Sequence, residues 1–259
     1  MGTARSLLSI AGYDPSGGAG VSLDLRVFER LGFRGFGVLT SVTAQNAGQV
    51  DAVFPLPPGL VRKQYVALGR GRCLAGVKVG MVGSLGNLAE VARILAAHPD
   101  LPRVVDPVMR SSSGAVLLEK KAVQRLLGLL RGKASLITPN LDEASSLSGI
   151  QVRTVDGMME AAGRIHEATL VPCFVKGGHL RGEAVDVLYD GAAFKVFRHP
   201  RMRREVHGTG CFLSAAILCG LARGLSLEEA CRRGIALTAR GIQNSVRAGG
   251  RRAEFSFPI

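Results

Sequence analysis

The segment His207-Gly208-Thr209-Gly210-Cys211 sets an imidazole, a hydroxyl and a thiol around two glycines, directly ahead of the apolar run Phe212 to Leu218. A Gly-x-Gly turn that opens a helix leaves backbone N–H groups unpaired, and the helix dipole adds positive potential at the same point. Gly208, Thr209 and Gly210 therefore have the chemistry of an anion hole. Cys211 falls in the first helical turn, a setting expected to lower its thiol pKa so that it can take a proton from a substrate hydroxyl. Without the glycines, a buried helix cysteine would be the better reading.

Four other segments carry residues of comparable reach. Lys176-Gly177-Gly178-His179 places a cation at the end of a buried strand-like run, suited to nucleotide phosphates; a Gly-Gly turn before a hairpin explains the glycines but not the lysine. Asp106-Pro107-Val108-Met109 and Thr138-Pro139-Asn140-Leu141-Asp142-Glu143 bring carboxylates and an amide to two more strand ends, where they can hold Mg2+ through water beside a polyphosphate. Asn140 followed three residues later by Glu143 also reads as a capping box, and the two readings are compatible. Gly12-Tyr13-Asp14-Pro15-Ser16-Gly17-Gly18-Ala19-Gly20 is neither a G-x-G-x-x-G nor a Walker A loop, because no Gly-Lys-Ser/Thr follows. It is open between a ligand-hugging loop and an ordinary strand-to-helix turn with Ser16 near the cap. Asp24 and Gln45-Asn46 could read an amidine-like edge such as that of an aminopyrimidine, or be surface and cap residues.

Positioning these groups requires strands that end where the chemistry begins. Short apolar runs alternate with amphipathic stretches throughout, the pattern of βαβ units around a mostly parallel sheet. Strands are expected at Leu7–Ala11, Gly37–Thr43, Gly76–Val79, Arg103–Val105, Ser135–Thr138 and Cys173–Lys176. Helices are expected at Val21–Leu31, Leu85–His98, Ala122–Leu130, Val155–Glu167, Cys211–Arg223 and Leu227–Arg247. Ala184–Tyr189 and Ala193–Phe197 flank Asp190-Gly191 and read as an antiparallel hairpin at a sheet edge. In such sheets ligands collect beyond the carboxyl ends of the strands. One domain over residues 1–259 is expected, with 248–259 a loose tail.

With 47% hydrophobic and 20% charged residues the chain has the composition of a globular protein. No run approaches the roughly 18 apolar residues of a membrane span, and no signal-peptide pattern opens the sequence, so the expected location is cytoplasmic. The net charge of +13 suits nucleic acid, an anionic membrane or phosphorylated substrates. Its arginines cluster at Arg201, Arg203 and Arg204, Arg232 and Arg233, and Arg251 and Arg252 with few aromatics between them, which favours solvated surface over a single-strand binder. Five cysteines, Cys73, Cys173, Cys211, Cys219 and Cys231, form no C-x-x-C pair and are expected as free, mostly buried thiols.

Taken in order, Gly12-x-Asp14-Pro15-Ser16-Gly17-Gly18-Ala19-Gly20, Thr43-Ala44-Gln45-Asn46, Lys78-Val79-Gly80-Met81, Asp106-Pro107-Val108-Met109, Thr138-Pro139-Asn140-x-x-Glu143, Lys176-Gly177-Gly178-His179 and His207-Gly208-Thr209-Gly210-Cys211 resemble the hydroxymethylpyrimidine/phosphomethylpyrimidine kinases of thiamine biosynthesis. The resemblance runs from Leu7 to about Leu237. It implies a ribokinase-like three-layer α/β/α sandwich with a mostly parallel central sheet and an antiparallel edge hairpin. It also implies ATP and Mg2+ as cofactors, a small-molecule pyrimidine as substrate, and a homodimer. Carried over, Gly12, Asp24, Gln45, Met81 and Val108 line the pyrimidine pocket, Asp106 and Glu143 order the metal, and Lys176, Thr209 and Asn140 meet the nucleotide. Cys211 takes the place of the catalytic base beside Gly208 and Gly210. Ser112 stands where relatives carry a lysine, with Arg110 the nearest charge, and the relatives' C-terminal Gly-x-Gly-Pro signature is replaced by residues 251–259. Pyridoxal kinase of the same superfamily is the alternative enzyme; a metabolite sensor or nucleic-acid binder is the alternative outside catalysis.

Overall fold

The computed structural model describes residues 5–69, 74–111, 113–178, 180, 184–202, 204–247 and 252–257. Of the positions singled out from sequence, Cys73, Ser112, His179, Arg203, Arg251 and the tail residues 248–250, 258 and 259 lie outside the described residues.

Nine strands form one sheet: β1 (Ser6–Tyr13), β2 (Arg34–Gln45), β3 (Val50–Pro55), β4 (Leu74–Val79), β5 (Arg103–Val105), β6 (Leu136–Ile137), β7 (Cys173–Val175), β8 (Ala184–Tyr189) and β9 (Phe194–His199), in the order β3-β2-β1-β4-β5-β6-β7-β8-β9. From β2 to β7 neighbours run parallel, while β3, β8 and β9 are antiparallel to the strands beside them. On one face pack α1 (Gly20–Arg30), α7 (Thr209–Ala222) and α8 (Leu227–Gln243); on the other pack α2 (Pro58–Ala67), α3 (Leu85–Ala96), α4 (Lys120–Leu130), α5 (Leu141–Ser148) and α6 (Val155–Thr169). This is the three-layer architecture the sequence leads one to expect, and the 184–199 hairpin does form an edge. Among the described residues no helix is long and apolar enough to cross a membrane.

Strand alternation separates two cores and aims the polar residues. Leu8 and Ile10 of β1 and Val77 and Val79 of β4 join the core under α2–α6, whereas Leu7 faces α1 and α7. Ser9 and Lys78, directly paired across β1 and β4, therefore project towards α1. The same phase recurs on three strands. Val104, Leu136 and Phe174 belong to the α1/α7 core, so the residues two positions on, Asp106, Thr138 and Lys176, meet that face just beyond the strand ends.

Three expectations need correction. The strand β3 and the helix α2 are additional; α2 buries only Val61 fully, so it has little apolar periodicity to read. The last helix stops at Gln243 rather than Arg247, and Val246–Arg247 (β10) instead pairs antiparallel with Ala253–Glu254 (β11). The end of the chain is not loose where it is described: Ala253 and Phe255 are 3% and 2% exposed, and Phe255 stacks on Phe212 at 4.4 Å. Apolar side chains at 253, 255 and 257 find the flank of α7, and burying an aromatic ring there outweighs the entropy of ordering a short segment.

Candidate active site

The head of α7 follows from its glycines. Gly208 has φ +78 and caps the helix, and the first intrahelical bond runs from Phe212 N–H to Gly208 O at 2.9 Å. The N–H groups of Thr209, Gly210 and Cys211 precede that bond and face out of the helix end. The Thr209 hydroxyl donates to Val206 O at 2.8 Å, which tightens the turn. A Cβ at Gly210 would lie 3.1 Å from Lys176 Nζ and 3.7 Å from Asp106 Oδ2, so the turn sits on the paired charges of the neighbouring strands.

Lys176 Nζ and Asp106 Oδ1 are 2.6 Å apart, with the aspartate side chain 2% exposed. Ser214 of α7 donates to Asp106 Oδ2 at 3.3 Å and Thr138 to Oδ1 at 3.4 Å. Burial opposes the charge of Lys176, yet Asp106 and Glu143 hold its pKa above the ordinary lysine value. Glu143 and Asn140 form the full capping box of α5: Glu143 N–H donates to Asn140 Oδ1 at 2.9 Å and Asn140 N–H to Glu143 Oε2 at 2.8 Å. Asn140 thus has its side-chain oxygen committed to the cap. Burial pushes the Glu143 carboxyl up to about 7; Lys176 opposes the shift and Asp106 reinforces it.

Cys211 is half-buried and free, and Gly20 N–H donates to its sulfur. Burial pushes its thiol up to about 11, against the pull of Lys78 and with Asp106 and Asp24 adding to the rise. The expected lowered thiol is therefore corrected: desolvation outweighs the helix end. Alkylation of Cys211 by iodoacetamide, taken as the difference between the protein and its Cys211→Ala variant, should rise about tenfold per pH unit from 7 to 10. A plateau near pH 8 would contradict this placement of the thiol.

The first glycine segment is a close-approach loop. Gly20 has φ +59, and a Cβ there would meet Gly12 O at 2.2 Å. Met81, 7% exposed, lies against Gly12, whose Cβ would stand 2.8 Å from its sulfur. Val108 is half-buried in the turn after β5, and Gln45 is half-buried at the last position of β2. Asp24 is enclosed: its oxygens are taken by Ser9 Oγ and Lys78 Nζ, both at 2.6 Å, and none of the three is solvent-accessible. Burial works against both charges of this pair, but the contact and the further fields of Cys211 and Asp106 keep Lys78 protonated. Asn46 accepts from the N–H groups of Gly48 and Gln49 and shapes the β2–β3 turn. Arg110 is exposed and donates to Gly114 O at 3.2 Å.

Sequence reasoning quoted Lys78 in a motif without giving it a role, and it missed Ser9, Ser214 and the 2.8 Å bond between Asp14 and His207. A lysine between the buried valines Val77 and Val79 was the available signal, since a buried cation requires a partner. Cys173, Cys219 and Cys231 are buried as expected.

The loop after β7 is held from the edge hairpin. Asp186 accepts from Gly177 N–H at 2.8 Å and from His199 Nε2 at 3.0 Å, and Arg201 bonds to the carbonyls of Gly178 and Leu180. The hydrogen bond to Asp186 holds the His199 pKa above its ordinary value despite burial. The pair's contribution to stability is then complete below about pH 6.5 and is lost as pH rises through the folded value. The stability gap between the protein and His199→Leu should shrink from pH 5.5 to 9 in urea unfolding; a widening gap would reverse the assignment.

Comparison with known proteins gives one consistent picture. The family model described as phosphomethylpyrimidine kinase matches residues 14–255. A Streptomyces coelicolor protein named hydroxymethylpyrimidine/phosphomethylpyrimidine kinase is 41% identical over 231 residues, spanning 89% of this chain and 86% of its own length. An ADP complex of Bacillus subtilis pyridoxal kinase has a TM-score of 0.88 at 32% identity, over 98% of this chain and 97% of the other. The phosphomethylpyrimidine kinase of Clostridium difficile 630 has a TM-score of 0.78 at 38% identity, over 92% and 98%.

Proposed function

We propose, from the premise that the chain belongs to the phosphomethylpyrimidine kinase family and has its ribokinase-like fold, that it transfers the γ-phosphoryl group of ATP to 4-amino-5-hydroxymethyl-2-methylpyrimidine and then to the monophosphate. The observation that carries this reading is the meeting of the α7 head with the Asp106–Lys176 pair beyond the ends of parallel strands. Free N–H groups, a helix dipole and a fixed ammonium all favour negative charge at one point, and such transfer depends mainly on alignment and charge neutralisation.

In the transfer, the acceptor oxygen bonds to the γ-phosphorus as the bond from that phosphorus to the β–γ bridging oxygen breaks, and ADP leaves. Gly208, Thr209 and Gly210 line the side where charge develops, and Lys176 lies against them. Cys211 is the group placed to take the hydroxyl proton. It can do so only as thiolate, which Lys78 and Gly20 N–H favour and burial opposes. The base is accordingly a smaller term than the anion hole. In this reading Gly12, Met81, Val108 and Gln45 line the ring's pocket, Met81 lying against Gly12 and Gln45 supplying an amide, and Asp24 acts through Lys78.

Asp106 and Glu143 fit a hydrated Mg2+. Both present oxygen, the donor this ion prefers, and the mutual field that helps push Glu143 up to about 7 is one a divalent cation relieves. When bound, the ion neutralises phosphate charge; Lys176 and the α7 head orient the same phosphates from the protein side.

The resemblance of fold to pyridoxal kinase makes pyridoxal the second acceptor to consider. A coupled ATPase assay with the pyrimidine alcohol, its monophosphate and pyridoxal as separate substrates tests the reading. Turnover with the two pyrimidines above that with pyridoxal is expected, and preference for pyridoxal would replace the substrate while leaving the reaction. The proposed dimer has an apolar stripe available, with Tyr13, Val42 and Phe54 adjacent in register and 39%, 38% and 64% exposed. Sedimentation at monomer mass would remove it.

A further inference from the structure

The heads of α1 and α7 meet backbone to backbone. A Cβ at Gly208 would lie 1.9 Å from Gly18 O, and one at Gly18 would lie 2.5 Å from His207 Cδ2. Contact of this kind resists closer approach but not separation or sliding, because dispersion between two surfaces has no fixed direction. A directional bond between the segments supplies what packing lacks: His207 Nε2 lies 2.8 Å from Asp14 Oδ2. Both residues are buried, at 8% and 1% exposed, so the bond is little screened by water. The other Asp14 oxygen is fixed by Ser16 N–H at 2.9 Å and Ser16 Oγ at 2.8 Å, which orients the carboxylate within its own loop.

Asp14 accepts, so Nε2 carries a hydrogen, and Nδ1 has no partner among the described residues. Burial would by itself raise the Asp14 carboxyl, but the bonds from His207 and Ser16 hold it below the usual carboxylate range. The imidazole does not share in the Asp106–Lys176 pair, so any effect it has on the reaction passes through the backbone it holds.

We propose that His207 is a positioning residue for phosphoryl transfer: bonded to Asp14, it latches the Gly12–Gly20 segment to the Gly208–Gly210 turn, so that the first-turn N–H groups of α1 and α7 form one cradle. The proposal rests on the kinase reading. It is separable from folding because the main chain at the same residue is held independently, His207 N–H donating to Ala253 O at 2.9 Å.

The test uses the full chain with His207→Ala, His207→Gln, Asp14→Ala and the double alanine variant, with active sites counted by ADP titration. His207→Ala should lower kcat about 10- to 100-fold, the scale of a misplacement near 1 Å, while the pyrimidine KM stays within about threefold. His207→Gln, whose amide can still donate to Asp14, should recover most of kcat. The double variant should be no slower than the slower single one, because both remove the same bond. A kcat for His207→Ala within twofold of the parent, a glutamine variant as slow as the alanine one, or losses that multiply in the double variant would each overturn the latch. Should the parent fail to phosphorylate the pyrimidine at all, the kinase reading falls first. ADP affinity then reads the latch alone, with several-fold weakening in His207→Ala expected and an unchanged affinity overturning it.

Discussion

Gly208→Ala is expected to remove nearly all turnover, by roughly 10³-fold, the upper range for losing a preorganised anion-hole donor. Two effects act together at this position. A φ of +78 is a left-handed conformation that strains a residue with a Cβ, by about 1–3 kcal/mol, and the added carbon would stand 1.9 Å from Gly18 O. Neither segment can yield without turning the N–H groups of residues 209–211, the donors of the proposed anion hole. Steady-state kinetics together with thermal unfolding checks the prediction: kcat should collapse while most of the fold persists. A variant with kcat within tenfold of the parent would show that the α7 head is not where charge develops.

Asp106→Ala should be comparably severe for a different reason. It leaves Lys176 charged, mostly enclosed and without its 2.6 Å partner, a loss of about 3–5 kcal/mol where one member of a buried pair is removed. Turnover should fall by about 10³-fold or more, since the lysine proposed to meet the phosphates loses its anchor. The double variant Asp106→Leu with Lys176→Met separates the two consequences, because an apolar pair of similar volume can restore stability without restoring charge. Urea unfolding should show recovery in the double variant and kinetics should not. Recovery of both would mean that the pair is structural alone.

Much of this arrangement is legible in the sequence because it is built by alternation. Asp106, Thr138 and Lys176 each follow a short apolar strand in the same phase, and a polar residue there has to emerge at the strand end. The glycine turn before Phe212 is legible for a related reason: a wholly apolar helix opened by Gly-x-Gly has one polar end. What escapes such reading depends on pairing across distance. Asp24 looks like a free carboxylate until Lys78, 54 residues on, is brought to 2.6 Å, and the pair is closed off from solvent. The Cys211 thiol reads as lowered from its place in the helix and is raised by burial that only the packed fold supplies. The edge strand β3 and the helix α2 bury too little apolar surface to imprint a period, and the tail takes its structure from Phe212 rather than from its own pattern.

That tail has a consequence in time. Ala253 donates its N–H to Glu205 O and accepts from His207 N–H, so the main chain just ahead of the glycine turn is hydrogen-bonded to residues made later than every other described element. During synthesis the sheet strands, both glycine segments and α7 leave the ribosome first, and the main chain at His207 lacks its Ala253 partner until residues 253–257 dock. A nascent chain therefore carries Asp106, Lys176 and Cys211 before the main chain ahead of the glycine turn has gained its Ala253 partner.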